Sequence, residues 1–281
     1  RRHVTVALSG DGGDETLAGY RRYALDGLLR PYTALPSWVT QRAVPAAAAL
    51  IPEPWWLPED RNPITGLRRL GQFSAITHKA SLVRWGSYFS HAEKLDLYTP
   101  ELRAELEAVD SASWVAEAYD RALASSLLDR TLGADHVTYL SGDLLPKTDR
   151  MTMAHSLEAR APFLDAEWVE WTARLPARFK VRGQSTKWLL KAAFGDKLPP
   201  QVKARGKQGF SVPVGNWLRD ELRDWAAERL LHNDLLGAWL RPEAVRALFD
   251  EHSSGKVNHG KKLWALLMLG VWAEQRLGVT V

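Results

Sequence analysis

The chain contains no cysteine. That removes disulfides, thiolate metal sites and a cysteine nucleophile together, and it is compatible with a reducing, cytoplasmic setting. Long apolar runs are missing too: the longest, Leu263 to Ala273, is too short to cross a bilayer and reads as a buried helix, so no membrane partner is expected. An excess of one charge is also lacking. The 37 basic residues are scattered among 33 acidic ones, leaving a net charge of +4 and no basic stripe, so nucleic acid is not an expected ligand. Neither a Walker-type phosphate loop nor a Ser-Gly-Gly-x-Asp-Ser loop occurs. What is present is 281 residues with 46% hydrophobic content, enough for one large soluble domain or two smaller ones. Because it starts Arg1-Arg2-His3, one step ahead of a strand, the chain is expected to be a piece of a longer polypeptide.

The most informative stretch is the short apolar strand Val4-Thr5-Val6-Ala7-Leu8, which runs directly into Ser9-Gly10-Asp11-Gly12-Gly13-Asp14-Glu15. Three carboxylates in a glycine-rich loop can hold Mg²⁺ or take a proton, and the glycines let the backbone pass close to a ligand. In open α/β sheets ligands bind beyond the carboxyl ends of the strands, where this loop lies. The bland alternative is an acidic turn that caps a helix starting near Thr16.

Apolar periodicity makes most of the remainder helical. Helical patterns cover Thr16 to Leu29, Ile76 to Phe89, Trp114 to Leu128, Val137 to Leu157, Asp165 to Ala173, Lys187 to Phe194, Trp217 to Leu231, Pro242 to Phe249 and Lys261 to Leu277, with Gly278 closing the last. Thr99-Pro100-Glu101 has the order of an N-cap followed by a first-turn proline. Pro52 to Pro63 is a proline- and tryptophan-rich connector. One strand followed by so many helices cannot complete an α/β sheet, so the other strands are expected upstream.

Two further stretches stand out. From Tyr139 to Asp165, the residues Asp143, Lys147, Asp149, Arg150, Glu158 and Arg160 punctuate an apolar helix and its exit loop with alternating charge. Lys187-Trp188-Leu189-Leu190-Lys191 follows Thr186, read as an N-cap, and Lys207-Gln208-Gly209-Phe210-Ser211 comes after it. A lysine in the first turn sits at the unfavourable end of the helix dipole, which an anion bound there relieves. For each segment alone, a solvated helical face is the competing reading. His155 reads as a core histidine and the thirteen tryptophans as core and interface residues.

Together these segments resemble one family. Ser9-Gly10-Asp11-Gly12-Gly13-Asp14-Glu15 through Tyr23, Leu144-Leu145-Pro146-Lys147-Thr148-Asp149-Arg150 through Asp165, Lys187 to Lys191, and Lys207 to Pro213 look like the synthetase domain of glutamine-dependent asparagine synthetases. The resemblance implies the C-terminal portion of an α/β adenine-nucleotide α-hydrolase-like (HUP) domain, mainly α-helical, with one strand of its parallel sheet near the N-terminus. It implies ATP and Mg²⁺ as cofactors, aspartate as substrate, and ammonia supplied from glutamine by an N-terminal glutaminase domain, with a homodimer as the oligomeric state considered. ATP would adenylate the β-carboxyl of aspartate with loss of pyrophosphate, and ammonia would displace AMP.

By the same resemblance Asp11 and Lys187 are the catalytic candidates, Ser9 and Gly10 contact ATP, and Asp14 binds Mg²⁺. Glu15, Asp143 and Lys207 are further candidates. Glu158, Arg160 and Asp165 are expected to hold the loop in shape. The missing cysteine and phosphate loop mean that these residues form part of an active site, with the glutaminase domain and that loop expected outside the chain, and little activity is expected from the chain alone. Related amide-forming enzymes of the β-lactam synthetase and lasso-peptide cyclase types, or a non-catalytic remnant, are the alternatives.

Overall fold

A computed structural model of the protein describes residues 2–24, 35–36, 38–49, 82–83, 86–204 and 212–277. The connector from Pro52 to Pro63, most of the segment from Ile76 to Phe89, Lys207 and Gly278 lie outside the described residues. The chain is mostly helical and divides into two compact units. One takes the described residues up to 40, Leu82 and those from 114 to 204; the other takes 41–49, 83–113 and 212–277.

In the first unit the expected strand forms as β1, Val6–Leu8, and a second strand that the sequence reading did not contain, β2, Glu158–Arg160, pairs with it in parallel. The register places Val6 opposite Glu158 and Leu8 opposite Arg160. β2 has three residues, two of them charged and paired to each other at 2.6 Å, so it carries no apolar pattern. Parallel strands are normally covered on both faces, yet Val6 is 43% and Leu8 76% exposed. That exposure is the mark of a partial α/β domain.

Several helices end where local chemistry overrides periodicity. Of the helix expected from Thr16 to Leu29, residues 25–29 lie outside the described residues; before them a single turn, Gly13–Thr16, is stopped by Ala18 in a left-handed conformation (φ 54°), and helix resumes at Arg21. The pattern from Trp114 to Leu128 splits into Ser113–Arg121 and Leu127–Asp135, because the Ser126 hydroxyl accepts the Asp129 N–H and starts a new helix. The pattern from Val137 to Leu157 becomes a π-helix, His136–Leu144, then an α-helix, Leu145–Met153, and a left-handed Ser156 (φ 55°) turns the chain into β2. Asp165 caps Ala166–Arg174 by accepting the Glu167 and Trp168 N–H groups. Ala18, Tyr23, Leu128 and Leu132 make a small apolar core.

The second unit is a helical assembly around a larger core. Thr99 caps Pro100–Leu106 by accepting the Leu102 N–H, with Pro100 in the first turn as its sequence indicates. The pattern from Trp217 to Leu231 divides into Val214–Trp217 and Arg223–Leu231. These helices pack with Pro242–Ser253 and Gly260–Leu277 around Leu218, Leu236, Val245, Phe249, Leu263 and Leu267, each at most 4% exposed. No described helix is long and apolar enough to cross a membrane.

Candidate active site

β1 delivers its loop to a fixed place. The Ser9 N–H donates to the Arg160 carbonyl at 2.7 Å, so the first residue of the loop is tied to the end of β2. Gly12 has φ +80°, and a Cβ there would overlap the Leu164 side chain, so the loop can pack on the 3₁₀ turn Pro162–Leu164 only with glycine at this position. Gly10 is exposed, and a Cβ on it would meet nothing within 4 Å, so this edge of the loop faces open space.

Within the loop the Ser9 hydroxyl donates to Asp11 Oδ2 at 3.0 Å, which aims that half-buried carboxylate. Asp14, two residues into the short helix Gly13–Thr16, meets Lys187 from a segment more than 170 positions away: the ammonium lies 2.8 Å from Asp14 Oδ1. Glu15 is buried, and the Tyr20 hydroxyl donates to it at 2.5 Å. Burial, reinforced by that carboxylate, pushes the Tyr20 phenol far above its ordinary value, so it remains a proton donor. Asp143 is exposed on the π-helix. Lys207 lies outside the described residues.

The setting of Lys187 corrects the sequence reading in two respects. Thr186 is not the N-cap; Lys187 itself occupies that position before the helix Trp188–Phe194, with a left-handed backbone (φ 50°) and no side-chain cap. That conformation costs a residue with a Cβ about 1–2 kcal/mol. The anion expected beside it is also present, and it is the Asp14 carboxylate of the same chain. A strained backbone that turns a lysine onto a half-buried aspartate is the kind of outlier that accompanies function.

Sequence reasoning missed the group beneath this loop. Asp135 is 2% exposed; it accepts from Arg22 at 2.7 Å and from the Tyr23 hydroxyl at 2.5 Å. The Arg22 guanidinium lies 5.0, 5.3 and 5.4 Å from the ring centres of Tyr20, Tyr23 and Tyr139. Burial opposes its charge, but Asp135 and Tyr23 together outweigh burial and hold Arg22 firmly protonated. The available signal was Tyr20-Arg21-Arg22-Tyr23, two aromatic and two basic residues directly after a ligand-type loop.

Among the described residues no three His, Asp or Glu side chains are grouped so as to hold a metal ion. Mg²⁺ does not need such a cage: it keeps several waters and is commonly held by one or two carboxylates together with substrate phosphates. Asp14, with the open edge of the loop a few residues before it, fits that mode of binding and not a dedicated protein cage.

The chain can be set beside known proteins. The Asparagine synthase family model matches residues 1–274. A Mycobacterium tuberculosis protein provisionally named a glutamine-hydrolysing asparagine synthetase is 33% identical over 278 residues, covering 97% of this chain and 39% of its own length. Asparagine synthetase 1 (glutamine-hydrolysing) of Bacillus subtilis is 30% identical over 279 residues, 97% of this chain and 40% of its own length. The nodule asparagine synthetase of Pisum sativum matches 100 residues at 32% identity, 33% of this chain and 17% of its own length. The chain thus spans about two fifths of the first two relatives. No solved structure matches. A strand-to-loop junction that presents Asp11 and Asp14, a lysine brought onto Asp14 from far along the chain, and a family model matching almost every residue lead to one conclusion: the chain belongs to the asparagine synthase family.

Proposed function

We propose that these 281 residues are the C-terminal portion of an ATP-dependent synthetase domain that converts aspartate to asparagine through a β-aspartyl-AMP intermediate. The observation that carries the reading is the contact of Asp14 with Lys187, which joins a cation-binding group and an anion-binding group within 2.8 Å at the end of a parallel strand. The names of the relatives, which are glutamine-hydrolysing asparagine synthetases, support it.

The reaction begins with like charges in conflict, since a β-carboxylate must approach the α-phosphorus of ATP. Lys187 draws in phosphate oxygens, and Asp14 offers its carboxylate to Mg²⁺, which when bound offsets the charge of the leaving pyrophosphate. The carboxylate oxygen bonds to phosphorus as the bond to pyrophosphate breaks. Ammonia then adds its lone pair to the β-carbonyl carbon, and the nitrogen must lose a proton before AMP departs. Asp11, aimed by Ser9, accepts that proton as general base. Ser9 and Gly10 form the open edge of the loop toward the nucleotide.

Glu15 serves by holding Tyr20, while Asp143, exposed on the π-helix, and Lys207 remain further candidates for the same site. A separate glutaminase domain supplies the ammonia, because a chain without cysteine lacks the thiol for that hydrolysis.

Isotope transfer tests the reading. Aspartate labelled with ¹⁸O in its β-carboxylate is given to the full-length polypeptide with ATP, Mg²⁺ and ammonium, and the products are weighed by mass spectrometry. Label in AMP and formation of asparagine are expected. Label in inorganic phosphate, with ADP as the nucleotide product, would replace the adenylate by an acyl phosphate; no aspartate-dependent turnover would remove the function.

A further inference from the structure

Asp14 Oδ1, the oxygen that meets Lys187 Nζ, is shielded from solvent, and the two side chains are only 17% and 26% exposed. The approach is made possible by a third residue. A Cβ on Gly19 would overlap the Asp14 carboxylate and Lys187 Cε. Gly19 has no positive φ, so its backbone accepts any residue, and it is the space above its Cα that the pair uses. The Gly19 N–H donates to the Asp14 carbonyl at 2.8 Å, which holds that clearance in register with the carboxylate. Three segments are therefore shaped around one ion pair: the short helix of Asp14, the bare Cα of Gly19 and the left-handed backbone of Lys187.

A carboxylate whose inner oxygen is covered by an ammonium is not available to a cation arriving alone. Mg²⁺ would have to displace a lysine that is held in place and pay for leaving that lysine without an anion. A cation arriving on a phosphate chelate meets no such obstacle, because the phosphate takes the lysine as the metal takes the aspartate, and every charge keeps a partner.

We infer that Lys187 is a gate on Asp14: its ammonium occupies the cation position on the carboxylate and yields it only to a ligand that brings an anionic phosphate together with a divalent cation. The gate rests on the contact itself, and its assignment to a nucleotide rests on the proposed function. Its consequence is coupled loading, in which free metal binds weakly and the metal–nucleotide complex binds as a unit.

The test reads metal binding without any reaction. Mn²⁺, which suits the same oxygen ligands, is titrated into the nucleotide-free full-length polypeptide, and free Mn²⁺ is counted by electron paramagnetic resonance. Lys187→Gln is expected to bind Mn²⁺ about tenfold tighter than the wild type, the scale on which one nearby charge alters the affinity of a carboxylate for a cation. Lys187→Arg keeps the positive charge and should show no gain; Lys191→Gln, at an exposed position one turn further on, should also show none. Adding Asp14→Asn to Lys187→Gln should abolish the gain. Should Lys187→Gln aggregate, Lys187→Met poses the same question. Equal Mn²⁺ affinity in the wild type and Lys187→Gln, or a gain that survives Asp14→Asn, overturns the gate. These outcomes do not depend on the ligase reading: a gain in a protein that makes no asparagine retains the gate and removes the function, and isotope transfer to AMP without a gain does the reverse.

Discussion

In one unit the most deeply buried side chains are largely apolar, Leu218, Leu236, Leu263 and Leu267 among them; in the other they include Glu15, Asp135 and Lys180, each held by a hydroxyl or an opposite charge. Lys180 is 2% exposed and meets Asp129 at 2.7 Å, and Asp135 meets both Arg22 and Tyr23. Apolar burial supplies stability without direction, whereas a buried charge is tolerable only with its partner in place and therefore fixes geometry. Part of this charged core is linked to the segment that carries Asp14: Tyr20 donates to Glu15 and its ring lies 5.0 Å from the Arg22 guanidinium, which pairs with Asp135. The unit with the reactive candidates thus gives up some stability for fixed positions, and the unit without them does not.

The comparison breaks most visibly at Asp135. Asp135→Ala removes the anion from a buried guanidinium and leaves the Tyr23 hydroxyl unsatisfied, for an expected loss of about 3–5 kcal/mol. Urea unfolding followed by tryptophan fluorescence should show that loss, and the variant should also bind Mg²⁺–ATP more weakly, because the loop rests on this network. A loss below about 1 kcal/mol would mean that the charged core is ornament to an apolar one.

Its counterpart is Leu267→Ala in the apolar core. Leu267 is 1% exposed, and truncating it removes buried surface and leaves a cavity, a cost of about 2–5 kcal/mol. Here the comparison predicts a separation: stability falls, while binding of Mg²⁺–ATP to the remaining folded protein is unchanged. An equal drop in affinity would show that the two cores do not divide the work in this way.

Among the described residues the apolar unit also buries two polar side chains, Asn233 and His252, and pH isolates the second. His252 is fully buried; its Nδ1 accepts the His259 N–H at 3.1 Å, so its proton lies on Nε2 and is donated to the Gly215 carbonyl at 2.8 Å. Burial, aided by the charge of Arg219 and opposed by the bond to Gly215, lowers its pKa from 6.5 to about 4. Between those values the unfolded chain binds a proton that the folded chain does not. The contribution of His252 is therefore complete above pH 6.5 and is lost as pH falls toward 4, on the order of 3 kcal/mol in total. His252→Gln should flatten the acid limb of a stability–pH curve measured in urea; an unchanged slope would place the acid sensitivity elsewhere.

What could be read from the sequence follows from how local its causes are. Thr99-Pro100 and the strand running into Ser9 were legible because a cap, a first-turn proline and an apolar run each act within a few residues. β2 was not, because Glu158–Arg160 becomes a strand only through pairing with β1, some 150 positions earlier, and a three-residue strand with charged ends has no period to detect. The π-helix His136–Leu144 was hidden for a different reason: apolar spacing reports a helix without distinguishing an i→i+4 from an i→i+5 ladder. In the site, the types of Asp11, Asp14 and Lys187 were readable from their motifs. The contact between the last two, and the reason for a bare Cα at Gly19, are properties of the folded chain alone.

The smallest expected effect sharpens the distinction between holding the site and acting in it. Asp165 belongs to the same motif as Glu158 and Arg160, and its carboxylate is spent on the Glu167 and Trp168 N–H groups at 3.1 and 3.3 Å. Asp165→Ala unties two donors at the start of Ala166–Arg174 and should cost about 1 kcal/mol. Asp165→Ser keeps a capping oxygen and should recover most of that loss. The helix start directly follows Leu164, on which Gly12 packs, so a frayed cap would loosen the seat of the loop without removing any group that meets a substrate. Asparagine formation by the full-length polypeptide should then change only a few-fold in Asp165→Ala and return to the wild-type rate in Asp165→Ser. A rate loss of a hundredfold in both variants, at unchanged stability, would instead make Asp165 a group that touches substrate, and the charged motif around β2 would move from the scaffold into the active site.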